Sequence, residues 1–176
     1  MTCLPIIIAP DPRLKRKSIP VERVDDEVSR LMSDMLETMY AAPGIGLAAI
    51  QVGIPKRIIV VDVAGAEEPP APIKLANPEL VEVSDDDMCQ EEGCLSLPDQ
   101  FAVVVRPRAV TVRYLDEHNV KRHLRAEGML ATCIQHEIDH LEGILFVDHI
   151  SAIRRNMILR RLVKARKAKE LESAMA

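Results

Sequence analysis

The segment His136-Glu137-Ile138-Asp139-His140 carries the chain's clearest chemistry. On a helix, two histidines four positions apart project from one face a turn apart, so both imidazoles can grip a single metal ion. A glutamate beside the first histidine is placed to take a proton from a water on that metal. This is the spacing of a hydrolytic metal site, whose plainer alternative is a core helix that happens to carry two histidines. A metal held by His136 and His140 still lacks a third protein ligand. Cys133 lies on the same face as His140, a turn before His136, and is better suited to line a pocket than to complete a tetrahedron. Cys94, in Glu91-Glu92-Gly93-Cys94-Leu95-Ser96, is the better candidate. Its thiolate pairs well with imidazole on Zn or Fe(II), and Gly93 lets the chain approach closely. A Cys-His-His set leaves the fourth position to water, the open geometry of a catalytic site; a structural site would use a fourth protein ligand.

The elements that must position these residues follow from periodicity. Val28, Leu31, Met32, Met35, Leu36 and Met39 form the stripe of an amphipathic helix, with Asp25 and Asp26 suited to its start and Pro43-Gly44 to its end. Gly44-Ile45-Gly46-Leu47-Ala48-Ala49-Ile50-Gln51 formally matches a dinucleotide fingerprint, but it follows a helix and precedes a strand, the reverse of what that fingerprint needs. Its glycines read instead as places where backbone passes close to a ligand or another strand. Residues 57–63, 79–84, 101–106, 109–115 and 120–126 read as short strands, and Ala64 to Pro72 as an exposed loop. After Gly128 the period becomes helical through Leu141, where Gly143 supplies the stop. A last helix spans about 151–172. With no internal repeat and no long linker, residues 1–176 read as one domain.

Composition narrows the class. Apolar residues make up 48% of the chain, but with two tyrosines, two phenylalanines and no tryptophan the core must be filled by Leu, Ile, Val and Met. Cys3, Cys89, Cys94 and Cys133 form no paired motif, which fits reduced thiols. The start of the chain, with Pro5 and Pro10 around an Ile-Ile-Ile run, reads as a strand or extended arm and not as a signal peptide. No apolar run reaches the roughly 18 residues needed to span a bilayer, so a soluble, cytoplasmic protein is expected. The net charge of −4 is unevenly spread: from Arg154 onward there are eight Lys/Arg and two Glu. Such a tail suggests a polyanionic partner, nucleic acid ahead of membrane, unless it is simply a solvated helix face.

Gly44-Ile-Gly-Leu-Ala-Ala-Ile-Gln51, Glu92-Gly-Cys-Leu-Ser96 and Gln135-His-Glu-Ile-Asp-His140 together resemble the three motifs of peptide deformylases, in that family's order. The resemblance covers nearly the whole chain. It implies an α+β fold, antiparallel sheets around a central metal-binding helix with a C-terminal helix. The implied activity is removal of the N-formyl group from the initiator methionine of newly made proteins. Metal-bound hydroxide would attack the formyl carbon, with Glu137 as general base and then acid. By resemblance, the Gln51 side chain and the Leu95 backbone N–H stabilise the oxyanion. Substrate would lie extended against a strand edge, with Ile45, Gly46 and Gly93 close to the peptide. Ile45, Leu95, Met129, Thr132 and Cys133 would form the methionine pocket; Thr132 departs mildly from the family's usual branched aliphatic. Asp139 should point away from the metal and be anchored by Arg106.

One divalent ion is implied, Fe(II) natively, with Zn, Ni or Co able to occupy the site. The implied partners are N-formylmethionyl nascent peptides and the ribosome near its exit tunnel, reached through the basic final helix; monomer is the default state. Two other readings compete. A zinc peptidase shares His-Glu-x-x-His, but Phe146 stands where its longer pattern needs a third histidine. A non-catalytic ribosome-binding relative should have lost a ligand or the base, whereas Cys94, His136, Glu137, His140 and Gln51 are all present.

Overall fold

The computed structural model of the chain describes residues 3–175; the expected domain limits, 1 and 176, lie outside them. The methionine stripe forms helix α1, Asp26–Ala41. Asp25 caps it by accepting the Val28 N–H at 3.0 Å, an interaction worth about 1 kcal/mol. Seven strands follow: β1 (Gly46–Ala48), β2 (Ile58–Val61), β3 (Ile73–Val83), β4 (Asp87–Cys94), β5 (Leu97–Pro107), β6 (Ala109–Leu115) and β7 (Lys121–Glu127). All pairings between these strands are antiparallel, in a five-stranded sheet ordered β1-β2-β3-β6-β7 and a separate β4–β5 hairpin. Helix α2 (Gly128–Leu141) and a long C-terminal helix α3 (Ala152–Met175) complete the chain.

β2 shows why the core reads as it does. All four of its residues are buried, because opposite faces of the strand are covered by different helices. Ile58 and Val60 pack with Met32, Met35 and Met39 of α1. Ile59 and Val61 pack with Ala131, Ile134, Ile138 and Leu141 of α2. Each fully buried Ile or Leu contributes about 1.5–3 kcal/mol. α2 therefore has one apolar face seated on the sheet, which leaves its histidine face for the β4–β5 hairpin. The inner face of that hairpin (Leu97, Ala102, Val104) packs with Phe146, Val147, Ile158 and Leu162. The described residues before Ala9 form an extended arm, not a strand. Its Ile7 N–H donates to Gln51 O at 2.7 Å and the Ala9 N–H to Ser96 O at 2.8 Å, tying two motif segments together. Past Leu141, Gly143 adopts φ +74°, and a side chain there would press on the Lys15 carbonyl.

Several elements depart from the sequence reading; β5, for one, begins at Leu97 rather than 101. β3 begins at Ile73 rather than 79: Asn77 takes a left-handed conformation (φ 49°) and the register shifts between Ala76 and Glu79, which breaks the alternation. β4 was not expected as a strand, since its outward positions are polar and only the hairpin partner reveals it. The glycine segment forms the short edge strand β1, in keeping with close backbone approach. No described helix is long and apolar enough to cross a membrane.

Candidate metal centre and active site

The β4–β5 register shifts between Gly93 and Cys94, and this irregularity sits where the hairpin meets α2. It brings Cys94 to His136 and His140, and the three side chains offer donor atoms that all lie within 4.8 Å of one another. Cys94 Sγ is 3.3 Å from His140 Nε2. His136 Nδ1 is 2.8 Å from Glu92 Oε2; an ionised carboxylate only accepts, so Nδ1 carries a proton. Burial works to lower the pKa of His136, but its contacts with Cys94 and Glu92 outweigh burial and hold it well above the usual histidine range, so Nε2 would give up its proton on taking a metal. Burial, followed by the charge of His136, pushes the pKa of His140 well below the usual histidine range, which favours the neutral ligand form. One soft sulfur and two imidazoles suit a divalent transition metal.

Glu137 follows His136 and is 3% exposed, and its Oε2 has no hydrogen-bond partner. Burial pushes its carboxyl up to about 7, so it can hold or release a proton near neutrality. Gly46 makes room for it, because a Cβ there would collide with Glu137 Oε1 and stand 2.8 Å from Cys133 Sγ. The Gln51 amide is held at both ends: its Oε1 accepts the Ala48 N–H at 2.8 Å, and its Nε2 donates to Ser96 Oγ at 3.1 Å. That Nε2 is also 3.5 Å from Cys94 Sγ, so it faces the metal ligands. Leu95 follows Cys94 at the hairpin turn, its side chain packed against the bare Cα of Gly44.

These groups line one groove of about 650 Å³. Ile45 and Met129 stand half exposed at its rim, while Thr132 and Cys133 are buried. Gly46, Gln51, Gly93, Cys94, Leu95, His136 and Glu137 also face it; His140 is packed behind, 1% exposed. Every expected site residue therefore falls in or directly against one groove. Asp139 lies outside the groove, with its Oδ2 accepting from Arg106 Nη1 at 2.8 Å, as the sequence suggested.

Four contributors were not foreseen. Glu92 receives a two-point contact from Arg106, Nε to Oε1 at 2.6 Å and Nη2 to Oε2 at 3.0 Å, as well as the His136 ring. Burial works to raise its pKa, but the hydrogen bonds from His136 and Arg106 outweigh it and hold the carboxylate at about 2. Ser96 anchors Gln51. The Phe101 ring covers Gly93 at the groove wall. Phe146 stacks on His136, ring centroids 6.3 Å apart and 22° between planes. Glu92 and Ser96 lie inside a motif already singled out, which was the available signal; the two phenylalanines had none.

A family model described as polypeptide deformylase matches residues 3–156. A peptide deformylase of Agrobacterium fabrum is 54% identical over 169 residues, spanning 96% of this chain and 99% of the relative. The solved peptide deformylase of Ehrlichia chaffeensis superposes with a TM-score of 0.92 at 38% identity, covering 96% of this chain and 99% of that one. A Met-Ala-Ser-bound peptide deformylase of Acinetobacter baumannii superposes at 0.80 with 36% identity, covering 85% and 99%. Identity and fold both extend across the strands, the turn and the helix that bring Cys94, His136 and His140 together, and the chain belongs to the polypeptide deformylase family.

Proposed function

We propose that this chain hydrolyses the formamide at the amino terminus of N-formylmethionyl peptides, as one catalytic unit with the residue roles that follow. The observation that carries the reading is the convergence of Cys94, His136 and His140 beside a buried Glu137 whose Oε2 is unpartnered. Cys94, His136 and His140 would hold a divalent ion, which when bound would supply a Lewis acid able to lower the pKa of water from about 15.7 towards 7. Glu137 takes the proton of the attacking water and later delivers it to the departing amine. Its carboxyl, at about 7, serves in both directions. As the formyl carbon becomes tetrahedral, charge grows on its oxygen, and the Gln51 Nε2–H and Leu95 N–H donate to it.

The groove suits the substrate. β1 lies at an edge of its sheet, so Ile45 and Gly46 can pair with an extended peptide backbone while Gly93 lets it pass on the hairpin side. Ile45, Leu95, Met129, Thr132 and Cys133 offer an apolar pocket for an unbranched side chain such as methionine. The Met-Ala-Ser peptide named for the Acinetobacter relative has the form of a deformylated product.

Fe(II) is the native ion in this reading, supported by the family resemblance and the mixed sulfur-imidazole donors. The protein acts as a monomer in the cytoplasm, on nascent chains at the ribosome. Support for docking there is the distal part of α3: beyond Leu162 it carries Lys164, Arg166, Lys167 and Lys169 and buries none of its described side chains.

The test is formate release from formyl-Met-Ala under anaerobic conditions, with metal content assayed, beside Glu137→Gln. Fast release by the wild type and little by the variant is the expected result. No release from protein holding stoichiometric Fe or Ni would overturn the reading.

A further inference from the structure

We propose that His149 is a positioning residue for the metal centre, acting through Asp139, Arg106 and Glu92 on the ligand His136; the inference rests on the deformylase reading. His149 ends the short 3-10 turn Phe146–His149, and its side chain is 34% exposed. Its Nε2 is 2.7 Å from Asp139 Oδ2. Because the carboxylate can only accept, Nε2 carries a proton whether the ring is neutral or charged. The same oxygen accepts Arg106 Nη1 at 2.8 Å. The other edge of that guanidinium grips both oxygens of Glu92, whose Oε2 accepts the His136 Nδ1–H at 2.8 Å. An unbroken row of hydrogen bonds therefore runs from a partly exposed imidazole to the ring that must aim its Nε2 at the metal.

The row is mechanically coupled as well as continuous. A guanidinium is a rigid planar fork, so a shift at its Asp139 side turns the side that holds Glu92. Arg106 and Glu92 have side chains 6% and 4% exposed, so neither has water to replace a lost partner. Asp139, at 21%, is the looser member, and His149 is what pins its oxygen on the outward side. The turn itself has independent anchors, with Phe146 and Val147 in the core and Asp148 accepting the Leu145 N–H at 2.9 Å. Changing His149 should therefore perturb the row without releasing the turn. Partners that orient ligating histidines typically matter 10- to 100-fold for metal affinity. His149 is four contacts removed from the ligand, with three residues between, and should fall at or below the bottom of that range.

The experiment compares cobalt-loaded wild type with His149→Phe, which keeps a ring and loses the donor, and His149→Gln, which keeps an N–H. The readouts are cobalt loss into excess chelator and the thiolate-to-cobalt absorption band. Loss about 3- to 10-fold faster with an altered band in the Phe variant, and recovery to within about twofold in the Gln variant, is expected. In an Asp139→Ala background the Phe change should add nothing further. His149→Leu also lacks the donor and should reproduce the faster loss, which keeps the test decisive should the Phe variant not fold. Wild-type behaviour in the Phe variant, no recovery with Gln, or an equal Phe effect in the Asp139→Ala background would overturn the proposal. Formate release by the cobalt-loaded wild type is followed in parallel. Its absence would sink the deformylase reading, whereas an active wild type beside an unaffected Phe variant would sink only the role of His149.

Discussion

Replacing Arg106 with Met removes the charge at the middle of the site's buried framework while keeping most of its aliphatic bulk. In the wild type the guanidinium bridges Glu92 and Asp139, with its side chain 6% exposed. Without it, Glu92 retains only the His136 ring among its side-chain partners and remains buried. Removing one member of a buried ion pair typically costs about 3–5 kcal/mol, because the other charge is left without compensation. Urea unfolding of chelator-stripped protein at pH 7 should show a loss of that size, with the slope against denaturant unchanged. His136 also loses its rigid acceptor, so competition with a chromophoric chelator should show metal held about 10- to 100-fold more weakly.

The pH dependence gives an independent check. Burial favours protonation of Glu92, but hydrogen bonds from His136 and Arg106 and the Arg106 charge hold its folded pKa at about 2, against 4.5 ordinarily. A depressed folded value means the stabilisation is fully present above 4.5 and is lost as the pH falls towards 2. The stability gap between wild type and Arg106→Met should thus be widest above about pH 5 and shrink in acid, where the unpaired Glu92 of the variant is neutral. A variant within about 1 kcal/mol of wild type at pH 7, holding metal as tightly, would show that Glu92 needs no cation and would refute the reasoning.

Gly46→Ala places a methyl group against Glu137 Oε1 and Cys133 Sγ, so kcat should fall on the order of 100-fold with the fold retained, as checked by formate release and circular dichroism. Gln51→Leu removes the pinned amide donor and should lower kcat about 100- to 1,000-fold with little change in KM; a rise in KM alone would mean that Gln51 binds the ground state instead. Deleting residues 164–176 removes the exposed basic part of α3 beyond Leu162. Turnover of a formyl dipeptide should be unchanged, while affinity for ribosomes falls and loses part of its salt dependence, measured by co-sedimentation at several salt concentrations.

How much of this was legible in the sequence depended on whether a local repeat carried the information. The helix period alone places His136 and His140 on one face and Glu137 beside them, and the structure keeps that arrangement. Donor chemistry favoured Cys94 over Cys133 as the third ligand, and the fold turns Cys94 to the two histidines while Cys133 lines the groove and donates to the Ile45 carbonyl. The contact between Asp139 and Arg106 was expected too, although no helix period points to Arg106, which lies 33 positions away. Glu92 was not expected, and the reason is specific. Once β4 is known to be a strand, alternation puts Glu92 and Cys94 on one face and Glu91 on the other, so the residue that orients His136 is two positions from the residue that joins it. β4 was hidden because its exposed positions are polar and its partner strand supplies the apolar pattern, and with it the clue to Glu92 was hidden too. Phe146 and His149 lie on a 3-10 turn too short to have a period, and they reach the site only because that turn packs against α2. The two histidine ligands were therefore written in local spacing and the third in donor chemistry, whereas the groups that aim them depend on hairpin register and on the docking of a turn. This division explains why a motif can mark a metal centre correctly and still omit the residues that decide how firmly the metal is held.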